Sequence, residues 1–147
     1  MIWMGLDMGE RRIGVALSDA AEIIAQPHCT LEVGTAGELP VEEIRKVLNR
    51  HRVEGLVLGL PKRLDGSLGP EANQVKRSAR RLEVELKIEV VLWDERLSSV
   101  EANRRLVEAG VRRQRRKGIT DRIAAALVLQ SFLDHRSLGD QSGQQGS

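Results

Sequence analysis

Three places in the chain carry carboxylates where chemistry could use them. Gly5-Leu6-Asp7-Met8-Gly9 and Trp93-Asp94-Glu95-Arg96 each end an apolar run in acid, and Asp121 opens the last helix-like segment. Acids at strand ends and at a helix start can converge in a fold. Converging carboxylates are the minimal equipment for holding magnesium against a phosphodiester. The other half of such a site would be cationic segments able to hold a polyanion. Arg112, Arg113, Arg115, Arg116 and Lys117 put five basic residues in six positions; they repel one another, and an anionic partner would relieve that. Lys62 and Arg63 follow the apolar run Gly55–Leu60 and read as phosphate contacts or as an ordinary exposed loop. Lys76, Arg77, Arg80 and Arg81 form a further cluster that reads equally well as a solvated helix face.

The elements that must position these groups belong to one domain of residues 1–136, a size that buries an ordinary core. A tail from Ser137 to Ser147, rich in Gly, Ser and Gln, is expected to be disordered. Ile2–Met8 and Arg12–Ser18 read as strands, and Glu22–Val33 as a third extended segment bent at Pro27. Their short links favour antiparallel pairing. Val41–His51 has helical spacing, and Gly55–Leu60 is wholly apolar, the mark of a strand covered on both faces. Pro70 fits a first helical position of a helix to about Leu86, and Lys87–Trp93 is a fifth strand. Ser98-Ser99-Val100-Glu101 fits a capping box for a helix ending at Gly110. After the basic loop Val111–Gly118, Thr120 caps a final helix from Asp121 to about His135, buried nearly all round. Right-handed crossovers then set the first, fourth and fifth strands side by side, with their C-terminal ends on one edge. The fold class is α/β: a mixed five-stranded sheet, three antiparallel strands then two parallel ones, with helices on both faces.

Composition narrows the function classes. Cys29 is the only cysteine, so no intrachain disulfide can form, and a reducing compartment is the natural reading. No apolar stretch reaches the roughly 20 residues of a spanning helix, and Asp7 and Glu10 interrupt the only early apolar run, so a soluble cytoplasmic protein without membrane partners is expected. The net charge of +2 is modest but unevenly spread. Trp3, Trp93 and Phe132 are the only large aromatics, too few for a base-stacking platform. Nucleic-acid contact would be mainly to phosphates and strongly salt-dependent. His28, His51 and His135 lack metal spacing and read as structural or surface residues, and Cys29 as packed.

Taken in order, Gly5-Leu6-Asp7-Met8-Gly9…Arg12-Ile13-Gly14-Val15-Ala16-Leu17-Ser18-Asp19, Gly59-Leu60-Pro61…Asp65-Gly66-Ser67, Asp94-Glu95-Arg96-Leu97-Ser98-Ser99 and Asp121…Ala124-Ala125…Leu129-Gln130 resemble the YqgF (RuvX) family. The departure is Ser98-Ser99, where the family more often has threonines; the hydroxyls remain. The resemblance spans about residues 3–133 and implies a ribonuclease H-like fold. It also implies a metal-dependent nuclease acting on Holliday junctions or on the precursor of small-subunit ribosomal RNA.

Under that resemblance Asp7, Glu95 and Asp121 would be catalytic and would bind Mg²⁺ or Mn²⁺. Lys62, Arg63, Arg112, Arg113, Arg115, Arg116 and Lys117 would contact structured DNA or precursor rRNA. Asp94 and Glu95 point to opposite faces of a strand, and parity alone leaves the choice open. Glu95 shares a face with Trp93 as Asp7 does with Trp3, which favours it, as does the glutamate that the resembling nucleases have on this strand. Gly5 and Gly9 could let the backbone approach a phosphate. Arg122 is a site neighbour or a surface arginine. A monomer or a homodimer is expected, since a symmetric cut of a four-way junction would favour C2 symmetry. Two other readings stand beside this one. A non-catalytic nucleic-acid binder would not need all three acids. A sugar-kinase or actin-like phosphate loop would need a second lobe, for which 147 residues leave no room.

Overall fold

A computed structural model describes residues 1–63, 65–98 and 117–145, with the backbone path alone for 117–120 and 139–145. Strands β1 (Ile2–Met8), β2 (Arg12–Ser18) and β3 (Ala25–Glu32) pair antiparallel, as their short links dictate. The β1–β2 turn closes with the Gly9 amide donating to the Arg12 carbonyl at 3.0 Å. A Cβ at Gly9 would stand 2.6 Å from that oxygen, so this glycine serves the turn. In β3, Pro27 pairs with Ala16 and Cys29 with Val15, leaving His28 as the extra residue of a bulge. The strand lies at the sheet edge, where a proline without an N–H is tolerated.

Helix α1 (Val41–Arg50) leads into β4 (Val53–Leu60), and α2 (Pro70–Leu86) into β5 (Glu89–Asp94). Both strands are parallel to β1, and the sheet order is β3-β2-β1-β4-β5, the adjacency expected from right-handed crossovers. A 3₁₀ turn, Glu95–Leu97, follows β5. The last described element is α3 (Lys117–Gln145).

Strand alternation sorts the interior into two layers. Met4, Leu6, Ile13, Val15, Leu56 and Leu58 pack under α1 and α2 with Ile44, Val75 and Leu82. Trp3, Ala16 and Val57 pack under α3 with Ala125, Val128, Leu129 and Phe132. Gly5 also faces α3: a Cβ there would lie 2.9 Å from the Ala125 carbonyl and from Leu129 Cβ. The space beside Gly5 is therefore taken by helix packing, which replaces the reading of Gly5 as a phosphate approach. Two residues on, Asp7 faces the same side.

The scarce aromatics serve this second layer. Trp3 and Phe132 meet edge to face at 4.8 Å, and Trp93 meets Phe132 at 5.6 Å. Trp93 Nε1 donates to Ser131 Oγ at 3.0 Å, and Gln130 accepts from the Ala25 amide at 2.8 Å, pinning α3 across the sheet.

The C-terminal part differs from the sequence expectation at the last helix. Helix α3 is already formed at Lys117, the first described residue of this part, so Asp121 lies inside it and Thr120 is not its cap. Gly118 reads as a breaker, but an interior glycine costs only about 1 kcal/mol, which a packed helix absorbs. The described backbone of the helix runs to Gln145. Propagation adds a hydrogen bond per residue once a helix is anchored, and the buried Ala124–Leu133 stretch is that anchor. The capping box and its helix lie outside the described residues except for Ser98, whose hydroxyl donates to the Glu95 carbonyl at 2.7 Å.

Candidate active site

Asp7 is the penultimate residue of β1 and only 3% exposed. Across the antiparallel pair it faces Gly14, and Gly59 follows Leu58, the β4 partner of Leu6. Each of these glycines leaves a vacancy filled by one of the other acidic residues. The Asp121 carbonyl lies against Gly14, where any Cβ would collide with it. The Glu95 carboxylate lies over Gly59: a Cβ there would be 2.8 Å from Glu95 Oε1 and 3.1 Å from Val128 Cγ2. Asp7, Glu95 and Asp121 thus share the α3 side of the sheet at the carboxyl ends of the parallel strands.

Asp94 has a different environment. Its carboxylate accepts from Arg96 Nη2 at 2.8 Å and from the Arg96 amide at 2.9 Å, and Lys62 Nζ lies 3.6 Å away. The Arg96 hydrogen bonds, with the Lys62 charge adding to them, hold the Asp94 carboxyl below its usual range against the opposing effect of burial. Asp94 organises the turn after β5, and Glu95 is the member of the pair that turns to the α3 face.

The loop after β4 is built around the same cations. Asp65 accepts from the Ser67 amide at 2.9 Å and from its hydroxyl at 2.6 Å, which gives Ser67 a turn-forming role. Gly66 has φ +88° and stands near Arg96, with Nη1 3.4 Å from where its Cβ would be. Lys62 and Arg63 diverge: Lys62 reaches Asp94, whereas the Arg63 guanidinium lies beside Gly69 at the start of α2. Arg112, Arg113, Arg115 and Arg116 lie outside the described residues, and Lys117 is described only as the backbone start of α3.

One residue of this edge escaped the sequence reading. Arg12 Nε is 3.4 Å from Asp121 Oδ2. Strand parity could have found it, since Arg12 lies two residues before Gly14 on the same side of β2. Arg122, next to Asp121, is no free surface arginine: its Nε is shut off from solvent with no hydrogen-bond partner among the described residues. It acts on Cys29, whose thiol burial pushes up against the smaller opposing pull of that charge, consistent with a packed cysteine. His28 and His51 meet edge to face at 4.7 Å, a pairing their distance in sequence conceals.

Three carboxylates form a hard oxygen donor set of the kind that suits a Mg²⁺-sized ion. They fit such an ion in chemistry, in shared face and in the side-chain-free glycines between them. As they stand, no three His, Cys, Asp or Glu side chains among the described residues form a ready ion-holding cluster, and Asp121 is turned to Arg12.

The strand order, the crossovers and an acid-bearing edge under the last helix define a ribonuclease H-like fold. Thermus thermophilus RuvC has that fold at 16% identity, with a TM-score of 0.54 over 93% of this chain and 96% of the other. The same protein in complex with a Holliday junction substrate matches with a TM-score of 0.53. Residues 1–135 match the family model RuvX, described as Holliday junction resolvase, and the chain belongs to that family. Among its relatives, proteins called "Putative pre-16S rRNA nuclease" come from Halothermothrix orenii and Syntrophomonas wolfei. The first is 42% identical over 91% of this chain and 95% of its own. The second is 46% identical over 92% and 96%. Among the described residues, no helix is long and apolar enough to cross a membrane.

Proposed function

We propose that this protein is a metal-dependent endonuclease that hydrolyses phosphodiester bonds in structured nucleic acid, its catalytic domain spanning residues 1–136. The observation that carries the reading is that Asp7, Glu95 and Asp121 share one face and one edge of the sheet, with Glu95 and Asp121 resting on the two glycines beside Asp7. Asp7, Glu95 and Asp121 would hold Mg²⁺ or Mn²⁺. When bound, such an ion supplies an activated water and neutralises charge gathering on the phosphate.

The chain's own residues do the rest. Burial of Asp7 at a strand end fixes its position, and the β1–β2 pairing keeps it opposite Gly14. Arg12 balances the Asp121 carboxylate when no substrate is present and is placed to meet a phosphate. Lys62 and Arg63, together with Arg112, Arg113, Arg115, Arg116 and Lys117, contact backbone phosphates. These contacts carry little sequence information, so selectivity comes from substrate shape.

Precursor 16S rRNA is the first substrate to test, because relatives 42–46% identical carry that name. The family's description supports a second reading, a four-way DNA junction as substrate; a symmetric cut of such a junction would call for a homodimer, whereas a monomer suffices for RNA. The test is a cleavage panel of precursor 16S rRNA, four-way junction, linear duplex and single-stranded RNA, with Mg²⁺, Mn²⁺ or chelator. Asp7→Asn should abolish cleavage and leave folding and binding intact. An Asp7→Asn protein that cuts at the wild-type rate, free of contaminating nuclease, sinks the proposal.

A further inference from the structure

We infer that the outer face of α2 is a second nucleic-acid surface, one that holds the phosphate backbone of an RNA stem flanking the cleavage point. The inference rests on the nuclease reading above.

Helix α2 buries Ala72, Val75, Ala79 and Leu82 and turns Asn73, Lys76, Arg77, Arg80 and Arg81 to solvent. Those five exposed residues line a shallow groove together with Val84 and Glu85. Arg81 is paired with Glu85 at 2.9 Å. Among the described residues, Lys76, Arg77 and Arg80 have no carboxylate at ion-pair distance. Between Glu71 and Glu83 the helix has no acid at all.

Helical spacing makes this costly for the chain alone. Lys76 and Arg80 are i,i+4 neighbours, as are Arg77 and Arg81, and like charges so placed destabilise a helix. A polyanion reverses the sign of that contribution. The stripe also has a direction. Asn73 lies one turn from Gly69, beside which the Arg63 guanidinium sits, and Lys62 continues from there to Asp94 at the acid edge. From Asn73 to Arg81 the rise along the helix is about 12 Å, the axial length over which one duplex strand presents three to four phosphates. The cations therefore form a track from the cleavage edge over the loop 61–69 and down the outside of α2. A short substrate at the acids would not reach it; a stem would. The chain's aromatics lie under α3, so contact here is to phosphate rather than to stacked bases.

The test uses full-length protein in the Asp7→Asn background, so that binding is read without cleavage. Lys76→Gln/Arg77→Gln/Arg80→Gln is compared with its parent on an RNA hairpin whose stem extends more than a helical turn from the cut, and on a truncated hairpin. On the long stem, removing three phosphate contacts should make the slope of log K against log salt shallower by about 2.7. Between 50 and 200 mM salt, that slope change corresponds to roughly a 40-fold smaller fall in affinity. The truncated hairpin should bind equally to both proteins, and in the active background its cleavage rate should not change. Thermal midpoints at or above the parent's are expected, because the substitutions relieve repulsion; Lys76→Gln alone, with one third of the slope change, serves if the triple variant misfolds. Unchanged salt slopes on the long stem overturn the inference. So does an equal loss on both hairpins, or a loss seen only with a DNA duplex. A protein with Asp7 intact that binds long RNA but never cuts, with the slope change present in the Asp7→Asn pair, refutes the nuclease reading and leaves this surface standing.

Discussion

Replacing Gly14 by alanine is the sharpest test of how the acids are brought together. A Cβ there would stand 2.7 Å from the Arg122 amide nitrogen and closer still to the Asp121 carbonyl. Both are backbone atoms of α3, so no side-chain rotation relieves the contact. Ordinary van der Waals contact begins at 3.4 Å; 3.4 minus 2.7 Å requires the start of α3 to withdraw by at least about 0.7 Å, and more at Asp121. Overpacking of this kind costs about 1–3 kcal/mol, which lowers Tm by roughly 3–12 °C for a domain of this size. Because the Asp121 carbonyl is the closer contact, the shift at that residue exceeds about 1 Å, and a shift of that size in one of three converging groups costs about 10²-fold or more in rate. The assay pairs a thermal melt with single-turnover cleavage. Gly69→Ser is the control: its Cβ would meet only the free ends of the Glu71 and Arg63 side chains, and a serine cap should leave Tm unchanged or raised. A Gly14→Ala protein with the wild-type midpoint refutes the placement of Asp121 over Gly14, whatever its rate.

Two further predictions concern pH. The folded Asp94 pKa lies below its ordinary 3.8, so its contribution to stability is present above 3.8 and lost as pH falls through the lower folded value. Asp94→Asn should therefore flatten the acid limb of a urea-midpoint profile and cost about 1 kcal/mol near neutrality through loss of the Arg96 and Lys62 contacts; an unaltered acid limb counts against the pairing. His28 behaves in the opposite sense. Burial first, then the charges of His51 and Arg50, hold its pKa below 6.5, so the fold prefers neutral imidazole and loses stability as pH falls below 6.5 toward the folded value. His28→Gln should remove that loss, and parallel wild-type and variant profiles through this window would exclude the His28–His51 contact as its source.

Much of this architecture could be read from the chain because its signals were local. Two short links specify three antiparallel strands, and Pro70 and the apolar run before Leu60 mark the boundaries of α2 and β4. What was misread depends on partners distant in sequence. Gly118 has the chemistry of a stop, but the packing of Ala125, Val128 and Leu129 on Trp3 and Val57 carries the helix through it. Arg12 is the first residue of β2, as read, but its ion pair was hidden because its partner, Asp121, lies near the other end of the chain.

Glycine was ambiguous for a physical reason. A missing side chain admits a phosphate, a helix backbone or another residue's carboxylate equally well, and only the neighbours distinguish these cases. At Gly5 the vacancy receives the Ala125 carbonyl, at Gly14 the Asp121 carbonyl, and at Gly59 the Glu95 carboxylate. The end of β5 at Asp94 and the 3₁₀ turn from Glu95 separate the two acids. Glu95 leans on the strand that pairs with β1, whereas Asp94 is occupied by Arg96 and Lys62. The two adjacent acids divide the labour because the strand ends between them: Asp94 closes β5 and accepts from the Arg96 amide, while Glu95 opens the 3₁₀ turn with its carboxylate over Gly59. Exchanging them would put a glutamate, one methylene longer, where Asp94 now meets Lys62 and Arg96, and a shorter aspartate where the Glu95 carboxylate now lies over Gly59. That dependence on order makes the Asp-Glu sequence, rather than the presence of two acids, the informative feature of this strand end.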